Sequence, residues 1–152
     1  MDRPALALLV PGVSGPTLLI DVGANANCQP HNLVQFAIMG RIFMETVMGL
    51  RDPRVGLMSI GEEKSKGNDL VKETFDRLQT SPLRFIGNVE GKDLFSGAAD
   101  VIVSDGFTGN VALKTMEGTA KVMGDLIKQA LRSSAASMAG GLLARKALEK
   151  LK

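Results

Sequence analysis

The feature that most constrains this chain is a junction. Val101-Ile102-Val103 runs through Ser104-Asp105-Gly106-Phe107-Thr108-Gly109-Asn110 directly into a long helical pattern. Three consecutive β-branched apolar residues are the composition of a strand buried on both faces. The polar residues therefore fall where a strand ends and a helix begins. In an open α/β sheet that edge is where ligands bind, and helix N-termini there favour anions.

The rest of the chain repeats this unit. Arg3 to Val10 reads as an edge strand, and Pro11 to Pro16 as a turn-rich loop. Thr17 to Val22 is a strand running into Gly23-Ala24-Asn25-Ala26-Asn27-Cys28. Pro30 suits the first turn of the next helix, where its missing N–H would have no partner anyway. That helix extends to about Met48, with Gly49 ending it, and apolar residues cover most of its circumference. It is expected deep in the core or at a subunit contact. Arg54 to Ile60 is the next strand, followed by the polar loop Gly61 to Asn68 and an amphipathic helix over about 69–79. Leu83 to Ile86 forms a strand ending at Gly87-Asn88-Val89-Glu90, and a short helical turn over 93–96 leads back to the opening junction. From Thr108 the last long helix keeps Leu113, Met116, Ala120, Met123, Ile127 and Ala130 on one face. Alternation of strand and helix implies parallel pairing and right-handed crossovers, hence an α/β fold.

Composition narrows the function classes. The length of 152 residues suits one domain with one sizeable core. A single cysteine, Cys28, excludes an internal disulfide and favours a reducing compartment. No stretch reaches the ~18 apolar residues of a membrane span, and no secretory signal is recognisable, so a cytoplasmic location is expected. Residues 132–152 carry Arg132, Arg145, Lys146, Lys150 and Lys152 against Glu149 alone, while the remainder is mildly acidic. That distribution argues against a nucleic-acid domain, which spreads basic surface over its fold.

It also divides the chain into a core, 1–131, and a basic amphipathic helical tail, 132–152. Ser133 to Gly141 is rich in small residues and is expected to break at Gly140-Gly141. Beyond it, Leu143, Ala144, Ala147, Leu148 and Leu151 share one face and Arg145, Lys146 and Lys150 the other. Such a helix either packs on its own domain or touches a lipid surface or partner.

Four strand ends carry polar, glycine-containing loops: Asp21 to Cys28, Gly61 to Asn68, Gly87 to Glu90, and Asp105 to Asn110. In a parallel sheet they emerge at one edge and enclose a polar crevice. No phosphate-binding Gly-x-x-x-x-Gly-Lys-Ser/Thr and no Gly-x-Gly-x-x-Gly is present, and one Cys with one His gives no metal-ligand spacing. Cys28 with His31 is either a nucleophile pair or, more commonly for cysteine, a small buried hydrophobe beside a solvated ring. Glu62 and Glu63 are adjacent and point apart, so one of them orients Lys64 or Lys66 rather than forming an acid–base pair. Lys66 before Gly67-Asn68 at a helix start is an anion ligand or a solvated lysine. Thr108 reads as an N-cap, with Asn110 in the first turn. Asp21 and Asp105, each ending an apolar strand, must be paired or face the crevice, because an unpaired buried carboxylate is costly.

Read together, the loops resemble one family. Asp21-Val22-Gly23-Ala24-Asn25, Leu33 to Gly40, Gly61-Glu62-Glu63 with Lys66-Gly67, Phe85 to Gly91 and Asp105 to Lys114 look like the ordered motifs of the bacterial phosphate acyltransferases of phospholipid synthesis. The similarity runs from Arg3 to about Lys128. It implies a Rossmann-like three-layer α/β/α sandwich with a mostly parallel sheet, of the phosphotransacetylase and isocitrate dehydrogenase type, incomplete here at both ends. The family segment Asp-Ala-Met-Gly-Gly-Asp and its C-terminal strands are not in the sequence. The resemblance further implies that inorganic phosphate attacks the thioester of an acyl-(acyl carrier protein) to give acyl phosphate, without metal or organic cofactor. A homodimer peripheral to the membrane, touching it through 142–152, is also implied. On that reading Lys66, Asn110 and Asn25 are the catalytic candidates. Asp21, Gly23, Glu62, Gly67, Asn68, Asp105, Thr108 and Gly109 are the substrate- and phosphate-binding ones. Asn27 and Ser104 stand where the family pattern suggests Asp and Cys, which removes them from that set. The alternatives are a phosphate acetyl- or butyryltransferase using acyl-coenzyme A, and a non-catalytic anion-binding or dimerisation fragment.

Overall fold

The computed structural model describes residues 3–148, in the order β1 (Ala7–Val10), β2 (Thr17–Ile20), α1 (Pro30–Thr46), β3 (Val55–Met58), α2 (Asp69–Gln79), β4 (Phe85–Val89), α3 (Asp93–Ser96), β5 (Val101–Val103), α4 (Gly106–Leu131) and α5 (Ala135–Leu148). The strands form one sheet in the order β1-β2-β5-β3-β4. β2, β5, β3 and β4 are parallel, with Leu18 beside Val101, Val55 beside both Val101 and Phe85, and Leu57 beside Asn88. The expected α/β architecture with a mostly parallel sheet is present.

β1 departs from the parallel rule and pairs antiparallel to β2, Ala7 facing Ile20 and Val10 facing Thr17. Residues 11–16 are too few for a parallel crossover, which takes about a dozen or more, so the chain turns back as a hairpin. The three inner strands are buried along their whole length, as expected for runs of Val, Leu and Ile covered on both faces. Leu18, Leu33, Phe36, Val55, Leu57, Leu78, Val101 and Val103 lie in one cluster.

Connectivity places the loops. From β2 the chain crosses through α1 to β3, skipping the position that β5 fills later, and continues through α2 to β4. It then returns through α3 to insert β5 between β2 and β3. α1 packs on β2 and β5, and α2 on β3 and β4. Gly40 lets α1 approach closely, since a Cβ there would lie 2.5 Å from Val101 Cγ1.

α1 is less enclosed than its composition suggests. It buries Leu33, Phe36, Ala37, Gly40 and Met44, but Ile38 and Ile42 remain 42% and 47% exposed. The fourth strand also starts and ends later than its apolar run predicts. Gly87, at φ +101°, sits where the β3–β4 register shifts, and the strand continues through Asn88 and Val89. A bulge carried by a glycine in left-handed backbone keeps the ladder going where composition alone suggests a loop.

The first compact unit is Met1–Leu113 and the second Lys114–Lys152. Within the second, α5 does not break at Gly140-Gly141. The Ser134 hydroxyl accepts the Ser137 N–H at 3.0 Å, an N-cap that starts the helix six residues before the glycines. The part of the tail beyond Leu148 lies outside the described residues.

At the N-terminal edge of the sheet, Arg54 clamps Asp100. Its Nε reaches Oδ2 at 3.0 Å, its Nη2 reaches Oδ1 at 2.8 Å, and its backbone N–H donates to Oδ2 at 2.7 Å. Burial pushes the Asp100 carboxyl up, but the Arg54 side-chain and backbone hydrogen bonds outweigh it and hold the group below its ordinary value. A folded-state pKa below the unfolded one adds stability that is complete above about pH 4 and is lost as the pH falls through the folded value. Asp100→Asn is therefore expected to lower the urea midpoint at pH 7, and the gap from the parent chain should narrow in titrations below about pH 4.

Candidate active site

The loop after β2 is built around one carboxylate. Asp21 is fully buried. Its Oδ1 accepts the N–H groups of Leu6, Gly23 and Ala24 at 3.2, 3.1 and 2.9 Å, and its Oδ2 accepts the Asn25 backbone N–H and Nδ2, both at 2.8 Å. Successive N–H groups turned toward one anion fold residues 22–25 into a tight cup. The paired alternative for Asp21 is thus the observed one, and its oxygens hold the loop rather than a substrate. Asn25 gives its second amide proton to Pro4 O at 2.8 Å. Both protons of its side chain are engaged, so in this arrangement Asn25 has no side-chain donor left for a developing oxyanion.

The start of α4 presses onto this cup. A Cβ at Gly106 would lie 2.7 Å from the Asn25 backbone N and O. One at Gly109 would collide with the Asp21 carbonyl oxygen and sit 2.6 Å from Ser104 Oγ. Spacing of three puts both glycines on one helix face, and only hydrogen fits there. Ser104 Oγ in turn donates to Asp21 O at 3.1 Å. The helix begins two residues earlier than expected, with Asp105 as its cap. Asp105 Oδ1 accepts the Thr108 N–H at 2.9 Å and Oδ2 accepts the Thr108 hydroxyl at 2.7 Å. Thr108 is therefore an N3 partner of the cap and not the cap itself, because the carboxylate one position before Gly106 is the stronger acceptor.

Three of the four predicted loops converge. Ala26, Asn27, Cys28, Gln29, Asn68, Leu70, Asp105, Phe107 and Thr108 line one cleft of about 490 Å³. Gln29, Asn68 and Asp105 are the residues preceding α1, α2 and α4, so three helix N-termini meet at this cleft. Gln29 forms a reciprocal capping box with Asn32, and Asn68 Oδ1 accepts the Val71 N–H at 2.9 Å. Each cap engages part of the first turn, and the remaining N–H groups with the helix dipoles favour an anion.

The other predicted residues stand apart from this lining. Asn110 is exposed on α4 beside the cup, its Oδ1 3.5 Å from where a Gly23 Cβ would be. Glu62 pairs with Lys92 at 3.3 Å, and Lys64 with Asp76 at 2.7 Å, so neither glutamate orients a lysine of its own loop through an ion pair. Lys66 makes no ion pair among the described residues. Gly67, at φ +98°, lies against Val71 and Ser59, where a Cβ would be strained. The Cys28 thiol donates to Asn25 O at 3.3 Å, and burial pushes its pKa up. Half-buried in the cleft lining, Cys28 is thus less readily a thiolate, the form a nucleophile needs. His31 meets the Asn32 amide at 3.2 Å.

The family model described as fatty acid synthesis protein matches residues 1–152. The chain belongs to this family. Among its relatives are proteins named phosphate acyltransferase from Acidobacterium capsulatum, 53% identical over all of this chain and 45% of that protein, and from Citrifermentans bemidjiense, 52% identical over all of this chain and 43% of that one. Another, from an Anaeromyxobacter species, is 50% identical over all of this chain and 42% of its own length. The chain thus spans less than half the length of these curated relatives.

Gln29, Leu70 and Phe107 belong to the cleft and were not singled out by sequence. The signal for Gln29 was available, since Pro30 at a helix start with Asn32 two positions on is a capping arrangement. Phe107, 67% exposed, reads as core from composition and gives no such signal.

Two pairs of substitutions separate residues that hold the site from residues that do not. Asp21→Asn keeps the shape but sets a donor against backbone N–H groups, and should cost about 2–3 kcal/mol in urea unfolding, with Asn110→Ala within about 0.5 kcal/mol of the parent. Gly109→Ala should cost at least about 1–3 kcal/mol through overpacking against backbone, whereas Gly118→Ala, on an exposed part of α4 with open space at its Cβ, should be neutral or gain up to about 1 kcal/mol.

Proposed function

We propose that this chain contributes the anion-binding edge of a phosphate acyltransferase that converts acyl-(acyl carrier protein) and inorganic phosphate to acyl phosphate for phospholipid synthesis. The observation that carries this reading is the meeting of three helix N-termini at one cleft, in a family whose relatives bear that enzyme name. A phosphate oxygen adds to the thioester carbonyl carbon, the C–S bond breaks, and the carrier thiol leaves with the proton that hydrogen phosphate gives up. A thiolate is a good leaving group, so the chain need supply no strong general acid.

Phosphate is held by the Asp69 and Leu70 N–H groups of α2 and the Phe107 N–H of α4, with Lys66, Gly67 and Asn68 around it, while Thr108 and Gly109 hold the start of α4 in place through Asp105 and the Asp21 cup. Asn110, exposed beside the cup, donates to the carbonyl oxygen as it gains charge. Asp21, Gly23 and Asn25 keep that wall in place, and Glu62 with Lys92 braces the facing loop. The exposed Ile38 and Ile42 on α1 supply an apolar surface for a second copy in a homodimer. The tail over 142–152 supplies a lipid contact for a cytoplasmic enzyme working at the membrane face. Among the described residues no helix is long and apolar enough to cross a membrane, and Leu142 and Leu143 are exposed.

The deciding measurement is formation of acyl phosphate from acyl-(acyl carrier protein) and phosphate by the intact protein carrying this chain, with acyl-coenzyme A as the second arm. Asn110→Ala is expected to lower kcat about 10²-fold, the usual cost of one oxyanion donor. Lys66→Met should raise KM for phosphate. Turnover unchanged in both variants would overturn these assignments, and turnover with acyl-coenzyme A alone would replace the carrier-protein substrate.

A further inference from the structure

We propose that Asn88 is a positioning residue for Lys66, acting through the Glu63 carbonyl; this rests on the reading of Lys66 as a phosphate ligand. Asn88 lies on β4 and is only 5% exposed. Its Nδ2 donates to Glu63 O at 3.0 Å, across twenty-five positions of sequence. The same carbonyl accepts the Lys66 N–H at 2.9 Å. One oxygen thus closes the turn from Glu63 to Lys66 and ties that turn to the sheet.

Two further constraints act on Lys66. Its stem lies over the buried Gly61, where a Cβ would be 2.9 Å from Lys66 Cγ, and the left-handed backbone of Gly67 follows at once. Before Lys66, Lys64 pairs with Asp76 and lies over the Phe75 ring, and Glu62 pairs with Lys92; these exposed contacts hold little, and the Asn68 cap acts only after Lys66. Lys66 is therefore aimed by the turn, and the turn is fixed by Asn88.

A purely stabilising role does not account for this side chain. Asn88 Oδ1 is buried without a protein partner among the described residues, as is Ser59 Oγ just past the end of β3. An amide with only half its hydrogen-bonding capacity used is a poor choice for filling space, where an apolar residue would cost less. What the amide supplies and an apolar group does not is the N–H aimed at Glu63 O.

The test uses the intact protein carrying this chain, with KM for phosphate and kcat measured at saturating acyl donor, and thermal unfolding as a check on folding. Asn88→Asp replaces the donor by an acceptor facing the carbonyl, and Asn88→Ser shortens the side chain but keeps a donor. Asn88→Asp is expected to raise KM for phosphate about tenfold, short of the hundredfold that an ångström of misplacement can cost, with kcat little changed. Asn88→Ser should fall between it and the parent. In a Lys66→Met background Asn88→Asp should add nothing, because residues acting through one another are not additive. Asn88 variants that leave KM unchanged, or raise it equally in both backgrounds, overturn the proposal while leaving the phosphate reading intact. A Lys66→Met variant with the parent's KM overturns the phosphate reading of Lys66, and the proposal with it.

Discussion

The buried Asp21 carboxylate is the interaction on which the rest of the site depends. Removing a charged group from water costs several kcal/mol, so it survives only where donors surround it. Here five N–H groups do so, four of them from residues 23–25 and one from Leu6. Because each hydrogen bond to a charged group contributes about 1.5–3 kcal/mol, the carboxylate and the loop conformation are mutually required. The cup then serves as the seat for α4, whose Gly106 and Gly109 approach it to a distance no side chain would allow. That seat sets where α4 begins and so where Asp105, Thr108 and Asn110 stand.

The charge of the cleft follows from the same arrangement. No cationic side chain is in its lining, and Asp105 contributes a carboxylate. Attraction for an anion must come from backbone N–H groups and the dipoles of α1, α2 and α4, which act over about one turn. Asp105 spends its negative charge on Thr108, on both the N–H and the hydroxyl, which leaves the helix end less opposed to an incoming anion than a bare carboxylate would. Beside the lining, the Arg3 guanidinium donates to the Asn27 carbonyl oxygen at 3.2 Å, and Lys66, without an ion-pair partner among the described residues, is two positions before Asn68 of the lining.

Much of this was legible in the sequence, and the failures share a cause. Apolar runs ending in glycine-containing polar loops gave the α/β class, the parallel inner strands and the common edge, because burial on both faces leaves a compositional mark. Apolar pattern does not report backbone hydrogen bonds. So composition marks β1 as a strand but not its antiparallel sense, which the short 11–16 link decides. The apolar run of β4 stops at Ile86, although Gly87 carries the strand through a bulge to Val89. Cap preference ranks residue types and so points to Thr108, whereas the position of α4 is set by glycine contact with the Asp21 cup. The sequence places Asn88 in a polar loop, and nothing local shows that its amide reaches Glu63 twenty-five positions away.

The two walls of the cleft are held in different ways. The Asp21 wall is fastened by a buried carboxylate and by backbone contact, which tolerate no intermediate positions. The wall carrying Lys66 is fastened by one buried amide, by Gly67 packed on Val71 and Ser59, by the Asn68 cap, and by exposed ion pairs of small worth. Fixing a residue's backbone costs about 1–2 kcal/mol, and in this loop the Asn88 amide, the Gly67 packing and the Asn68 cap offset it together. Backbone N–H groups attract an anion best when they are already in place, because ordering left to the binding step subtracts from affinity. The chain fixes one wall through Asp21, Gly106 and Gly109, and the other through Asn88 and the turn from Glu63 to Lys66.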